Sequence, residues 1–212
     1  TPPGSVMSPI LANIFLHYAL DTWFLENWAS QDAVIVRYAD DAVFMFSKEW
    51  RAKDFLAALK LRLAEYKLSV NEDKTALINF SKGKETIFSF LGFTFFWNKL
   101  KGWNKVNLVI KTQREKLEKK NQEFNDWIKL NRSRLNQKQI WSITAAKLRG
   151  HYNYYGYYCN YGKLMLYYKH VIGSLFRWLN RRSQKTSYTW PQFKRLLSRE
   201  PLPLPLERTK LK

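Results

Sequence analysis

The chain has 212 residues, of which 46% are hydrophobic and 17% aromatic, enough for one sizeable core or a smaller core with a helical appendage; this excludes disorder over most of its length. A single cysteine, Cys159, excludes an internal disulfide, the spacing of His17, His151 and His170 excludes a zinc cluster, and no leader or apolar run approaching the ~20 residues of a membrane span is present, so an unsecreted chain with no membrane partner is expected. The formal net charge of +19 is segregated: residues 1–100 hold eleven basic and eleven acidic side chains, whereas residues 101–212 hold twenty-five and six, which predicts a neutral folded unit followed by one that binds a polyanion.

In chain order, Thr1-Pro2-Pro3-Gly4-Ser5-Val6 reads as a rigid turn, and the chain is expected to open inside a domain. Ser8 and Pro9 then mark the start of a helix over about 8–28, with Ile10, Leu11, Ile14, Phe15, Tyr18 and Leu25 at helical spacing. Two β-prone runs, 33–39 and 42–46, flank Asp40-Asp41 and predict a hairpin with both carboxylates at its tip. Residues 49–66 repeat Phe55, Leu56, Leu59 and Leu63 on one helical face, and strands are expected at 75–80 and 86–97. Residues 1–98 thus predict an α+β unit. Beyond Lys101 the period turns helical, through Leu117, Phe124 and Ile128, then Ile140, Thr144 and Leu148, then Leu164, Tyr167, Val171, Leu175 and Trp178. A short helix is expected from Thr189-Trp190-Pro191, and the tail 201–212, which alternates Pro and Leu through 206, should be extended.

Adjacent carboxylates at a turn repel one another unless a cation intervenes. A divalent metal removes that penalty, and two-metal phosphoryl transfer needs hard oxygen ligands on a rigid support. Asp40 and Asp41 are therefore candidate catalytic residues and metal ligands. In the second half, eight of the twelve tyrosines lie within 152–168 among His151, Lys163, Lys169 and His170. Aromatic faces stack on unpaired bases while cations meet phosphates, so Arg149, Lys163, Lys169, Arg177, Arg181, Arg182 and Lys185 are the candidate RNA contacts. Tyr154, Tyr155, Tyr158 and Tyr168 are expected mainly to pack, and 111–120 also reads as a solvated helix face.

Tyr38-Ala39-Asp40-Asp41, after a hydrophobic strand and Arg37 and before Ala42-Val43-Phe44, resembles the YADD box of reverse transcriptases. Thr1-Pro2-Pro3-Gly4 with Ser8-Pro9-Ile10-Leu11-Ala12-Asn13-Ile14-Phe15-Leu16 resembles the family's TPQG…SPLLANIYL block. Leu68-Ser69-Val70-Asn71 with Lys74-Thr75 is similar to its L-x-hydrophobic-N-x-x-K-T block, and Phe90-Leu91-Gly92-Phe93 to its FLGF block. In the second half, 148–156, Asn160, 175–184, Thr189-Trp190 and Phe193 resemble the maturase-specific thumb of group II intron proteins. The resemblance implies a polymerase palm over 1–98, an antiparallel sheet with packed helices, followed by an all-α thumb and maturase domain over 99–200 and the tail. It implies a retroelement RNA-directed DNA polymerase with maturase activity that assists splicing. The implied partners are group II intron RNA, an RNA template with a DNA primer, and dNTP, with a homodimer left open. Two Mg²⁺ ions would be held by Asp40 and Asp41, and the location would be the bacterial cytoplasm or an organelle.

Carried over by residue, Pro2, Pro3 and Gly4 would lie near template and nucleotide, Tyr38 beside the primer end, Lys74 on phosphate, and Leu91 and Gly92 in a hairpin that grips the primer. Pro3 stands where the family has Gln, which removes a side-chain amide and a backbone donor. The family's first catalytic Asp lies upstream of the TPQG block, so the isolated chain is expected to lack the third carboxylate and to be inactive by itself. The alternative reading is an RNA-binding splicing factor that does not polymerise.

Overall fold

The computed structural model describes residues 7–30, 32–99, 106–181 and 188–206. The expected positions Pro2, Pro3, Gly4, Arg182 and Lys185 lie outside these residues. The architecture is mixed α+β, as the sequence predicts, and it divides into two compact units, Thr1–Leu91 and Gly92–Lys212.

The first unit opens with α1 (Ser8–Leu16), with Pro9 in its first turn, where the missing N–H costs nothing. The helical run continues through a π-helical stretch, His17–Thr22, into α2 (Trp23–Asn27), so the one helix expected over 8–28 is widened in its middle. Strands β1 (Ala33–Tyr38) and β2 (Asp41–Phe46) pair antiparallel from Ala33 opposite Phe46 to Tyr38 opposite Asp41. Helix α3 (Glu49–Glu65) then lays Phe55 and Leu59 into the core.

Phe55 is the hub of that core. Its ring lies 4.5–5.9 Å from those of Trp23, Phe24, Trp28, Phe44 and Phe46, which ties both helical segments, both strands and α3 together. Truncating a ring so placed costs about 3–5 kcal/mol. By contrast, α1 buries none of its own residues.

The predicted strand at 75–80 is not formed. Residues 71–79 are exposed and have no strand partner, and β propensity yields a strand only where a neighbour takes up the N–H and C=O groups. Strand β3 (Ile87–Phe90) closes the first unit.

In the second unit, β4 (Phe93–Lys99) pairs antiparallel with β5 (Val106–Thr112), from Phe93 opposite Thr112 to Lys99 opposite Val106. This pairing lies within the compact unit that begins at Gly92. It also places a strand inside the stretch read as helical beyond Lys101, where the β-branched Val106, Val109, Ile110 and Thr112 were the available signal.

Helices α4 (Arg114–Asn131), α5 (Gln137–Tyr155), α6 (Tyr161–Leu179) and α7 (Trp190–Arg199) follow. They bury the predicted faces: Leu117, Phe124 and Ile128; Ile140, Thr144 and Leu148; Leu164, Tyr167, Val171 and Leu175. Helix α5 begins with a reciprocal cap between Asn136 and Gln139, and α7 with one between Thr189 and Gln192.

The Pro-Leu segment is extended and docked. Leu202 is 3% exposed, the Trp141 indole donates to the Glu200 carbonyl (2.8 Å), and the Tyr152 hydroxyl donates to that of Pro203 (3.2 Å).

Candidate catalytic hairpin and nucleic-acid interface

Ala39 and Asp40 form a two-residue loop closed by the pair Tyr38 and Asp41. Ala39 has φ of 54° and Asp40 does not share the positive φ, the pattern of a two-residue turn that usually takes glycine at its first position. An alanine held there stores roughly 1–2 kcal/mol of backbone strain. The result is a tight tip on which Asp40 and Asp41 are both exposed.

Arg37 holds the tip from behind. Its guanidinium donates to both carboxylate oxygens of Asp21 (2.7 and 2.5 Å), to the Asn13 amide oxygen (3.0 Å) and to the carbonyl of Ala39 (2.8 Å). The π-helical stretch presents Asp21 and α1 presents Asn13, so one side chain fastens the turn to two successive helical segments. Hydrogen bonding to Arg37 holds the Asp21 carboxyl below its ordinary value of 3.8. The strand ends opposite the tip are fastened too: Asp32 accepts from Ser30, Ser47 and Arg51, and Ser47 N–H donates to the Asp32 carbonyl (3.0 Å). Sequence reading noted Arg37 but missed Asp21 and Asn13, because the contacts span 16 and 24 residues.

Neither Asp40 nor Asp41 forms an ion pair with any described residue. Two free carboxylates on a rigid turn suit a hard cation such as Mg²⁺, which binds through one or two carboxylates and completes its octahedron with water and substrate phosphate. Among the described residues no third acid, His or Cys joins them to make a larger cluster.

Of the other expected contacts in the first half, Tyr38 is 67% exposed beside the tip. Lys74 lies exposed in a turn where its N–H meets the carbonyl and side-chain oxygens of Asn71, both at 3.2 Å. Leu91 (φ 49°) and Gly92 (φ 77°) form the link from β3 to β4. Within the second unit, a Cβ on Gly92 would come within 2.8 Å of the Tyr155 hydroxyl, so both its φ and its closeness to that ring require glycine.

Of the expected RNA contacts, Arg149, Lys169, Arg177 and Arg181 are exposed and Lys163 is half-buried. Of the tyrosines expected mainly to pack, Tyr155 is buried and Tyr158 and Tyr168 are half-buried, but Tyr154 is exposed. Tyr155 and Tyr167 are buried and Tyr154 is 57% exposed, stacked on Phe93 with centroids 5.9 Å apart. His151, 7% exposed, stacks on Tyr167 at 4.0 Å, and burial pushes its pKa down to about 4, so it is a neutral core residue at physiological pH.

Asn160, fully buried, joins β5 to α5. Its amide oxygen accepts from Thr112 N–H (2.8 Å) and its amide nitrogen donates to the Thr112 hydroxyl (2.7 Å) and the Tyr155 carbonyl (2.8 Å).

Cations also lie over indole rings, Lys147 on Trp127 at 5.2 Å and Lys194 on Trp190 at 5.8 Å. Such basic and aromatic interleaving is the surface chemistry of nucleic-acid binding proteins.

The chain thus carries a paired-carboxylate hairpin in its mixed α+β first unit and an excess of basic side chains in its mainly helical second unit. Residues 1–95 match the family described as "Reverse transcriptase (RNA-dependent DNA polymerase)". Comparison with curated proteins gives no match. No helix among the described residues is long and apolar enough to cross a membrane.

Proposed function

We propose that this chain supplies part of the palm, and the thumb, of a group II intron reverse transcriptase that also acts as a maturase on its intron RNA. The observation that carries this reading is the strained, braced turn with Asp40 and Asp41 inside the stretch that matches the reverse transcriptase family. The ordered YADD-like, SPLLANIYL-like, K-T and FLGF-like blocks support it, as do the maturase-like boxes and the excess of +19 in residues 101–212.

Asp40 and Asp41 would hold Mg²⁺, which when bound neutralises charge on the phosphates and activates the primer 3′-hydroxyl. The chain's own residues do the positioning. Arg37 fixes the turn carbonyl, so the carboxylates meet the metal with little freedom to lose. Tyr38 would flank the primer end, and Lys74 would meet phosphate from its turn. In the second unit Arg149, Lys163, Lys169, Arg177 and Arg181 would bind the phosphodiester backbone of intron RNA or template. The free carboxylates Asp40 and Asp41 would keep RNA off the tip itself, since a polyanion without a cation is repelled there.

A splicing factor that does not polymerise is the second reading, favoured by Pro3 where the family has Gln. Extension of a DNA primer on an RNA template, measured on the complete gene product with Mg²⁺, decides between them. Template-dependent synthesis that EDTA abolishes is the expected result. RNA binding without any extension would leave the splicing role and remove the polymerase one.

A further inference from the structure

Helices α4 and α6 bring three cations to one indole. Lys129 Nζ lies 5.9 Å from the centroid of the Trp178 ring, the Arg132 guanidinium carbon 4.7 Å and that of Arg181 5.2 Å. The indole is fixed by its own N–H, which donates to the Asn125 side-chain oxygen (2.8 Å), and the ring packs against the core of the second unit. No described carboxylate pairs with any of the three cations. Within Arg132, Nε and Nη1 are buried and have no hydrogen-bond partner.

Cation–π attraction accounts for one or two charges on a ring, and the negative ends of α4 and α6 reduce the repulsion among cations set near their last turns. Neither effect gives the two buried N–H groups of Arg132 an acceptor. Buried guanidinium donors with no acceptor are costly in a protein interior, and here they are converged upon by two further positive charges. A bound anion supplies charge for all three cations, and an Arg132 side chain that swings outward to meet it brings Nε and Nη1, buried as they stand, to phosphate oxygens that suit the guanidinium fork.

We propose that Lys129, Arg132 and Arg181, arranged around Trp178, form a binding site for a phosphodiester group of structured RNA. This rests on the RNA-binding reading of the second unit and adds two residues, Lys129 and Arg132, that the basic pattern around 149–185 does not single out. The indole holds the cations at a fixed spacing, so the site reads backbone position rather than base sequence.

The test uses the whole chain and a fluorescently labelled RNA hairpin, with affinity measured against KCl concentration. Lys129→Gln, Arg132→Gln and Arg181→Gln should each lower the slope of log K against log salt by about 0.7–0.9 and weaken binding roughly five- to tenfold at 0.1 M salt. Lys48→Gln, in the neutral half, should change neither. Thermal unfolding by circular dichroism is recorded for each variant; Arg181→Gln, at an exposed position, keeps the test valid if Arg132→Gln does not fold. Wild-type binding that all three variants match in affinity and slope would overturn the site and leave the RNA reading intact. Absence of RNA binding by the wild-type chain would overturn both. Saturation by inorganic phosphate at micromolar concentration, with RNA affinity untouched by the variants, would make this a small-anion site and refute the RNA assignment.

Discussion

Replacing Asn160 with leucine keeps the branched heavy-atom skeleton, at the cost of some added bulk, but removes the amide that joins β5 to α5. Asn160 is 0% exposed, and its three hydrogen bonds, at 2.7–2.8 Å, are all to partners in the second unit. After the change the Thr112 hydroxyl can rotate and the Tyr155 carbonyl still accepts from Tyr157 N–H (2.8 Å), but Thr112 N–H is stranded out of reach of water. At roughly 1–3 kcal/mol for the stranded donor and about 1 kcal/mol for the lost bond to Tyr155, the loss is about 2–4 kcal/mol, a large part of the ~5–15 kcal/mol that holds a domain folded. Urea unfolding followed by circular dichroism reads the total, and hydrogen exchange at the Thr112 amide reads the local effect. Asn160→Asp separates the contributions: it keeps an acceptor for Thr112 N–H and gives up the donor to Tyr155, so amide protection should persist while stability falls. A loss below about 1 kcal/mol for the leucine variant, or undiminished protection of Thr112, would refute this reading of the junction.

Burial sets the acid response of the second unit. The folded His151 has a pKa of about 4 against an ordinary 6.5, so between those values the unfolded chain takes a proton that the folded chain refuses. Stability should therefore fall as pH drops from 6.5 towards 4, by about 2–3 kcal/mol, and level off below. His170, whose pKa burial also lowers, adds to the same trend. His151→Phe should remove most of that slope in denaturation series; a slope unchanged by the substitution would exclude His151 as its source. At the hairpin, Ala39→Gly should relieve the positive φ and raise stability by about 0.5–1 kcal/mol, whereas Ala39→Val should lower it by more than 1 kcal/mol. Urea midpoints that move in the same direction for both would contradict the strained turn.

What the sequence disclosed follows from the range over which each signal acts. Two β-prone runs around Asp40-Asp41 specify a local hairpin, and its register and exposed tip follow from adjacent residues. The buried faces of α4, α5 and α6 were legible because helical period is also local. Strand β5 was obscured because 106–112 alternates only weakly and stands before a long helical pattern, and its identity is fixed by pairing with β4. The run 75–80 failed for the converse reason: its residues favour a strand, but they take up no strand conformation even though Phe80 packs on Phe88 of β3. The Arg37, Asp21 and Asn13 brace and the cations around Trp178 depend on segments brought together by folding. Nothing in the sequence singles out Lys129 and Arg132, because the ring they share, Trp178, is brought to them by α6.

The division of labour between the two halves is open to one direct measurement. In the complete gene product, the double substitution Asp40→Asn and Asp41→Asn removes both negative charges from the hairpin tip and preserves its shape. Primer extension on an RNA template and affinity for a structured RNA are measured on the same preparation. Extension should be lost while RNA affinity and its salt dependence are retained, if, as proposed, the hairpin ligates the metal and the basic second unit contacts phosphate. Extension that persists without the two carboxylates, or RNA binding that disappears together with it, would contradict the assignment.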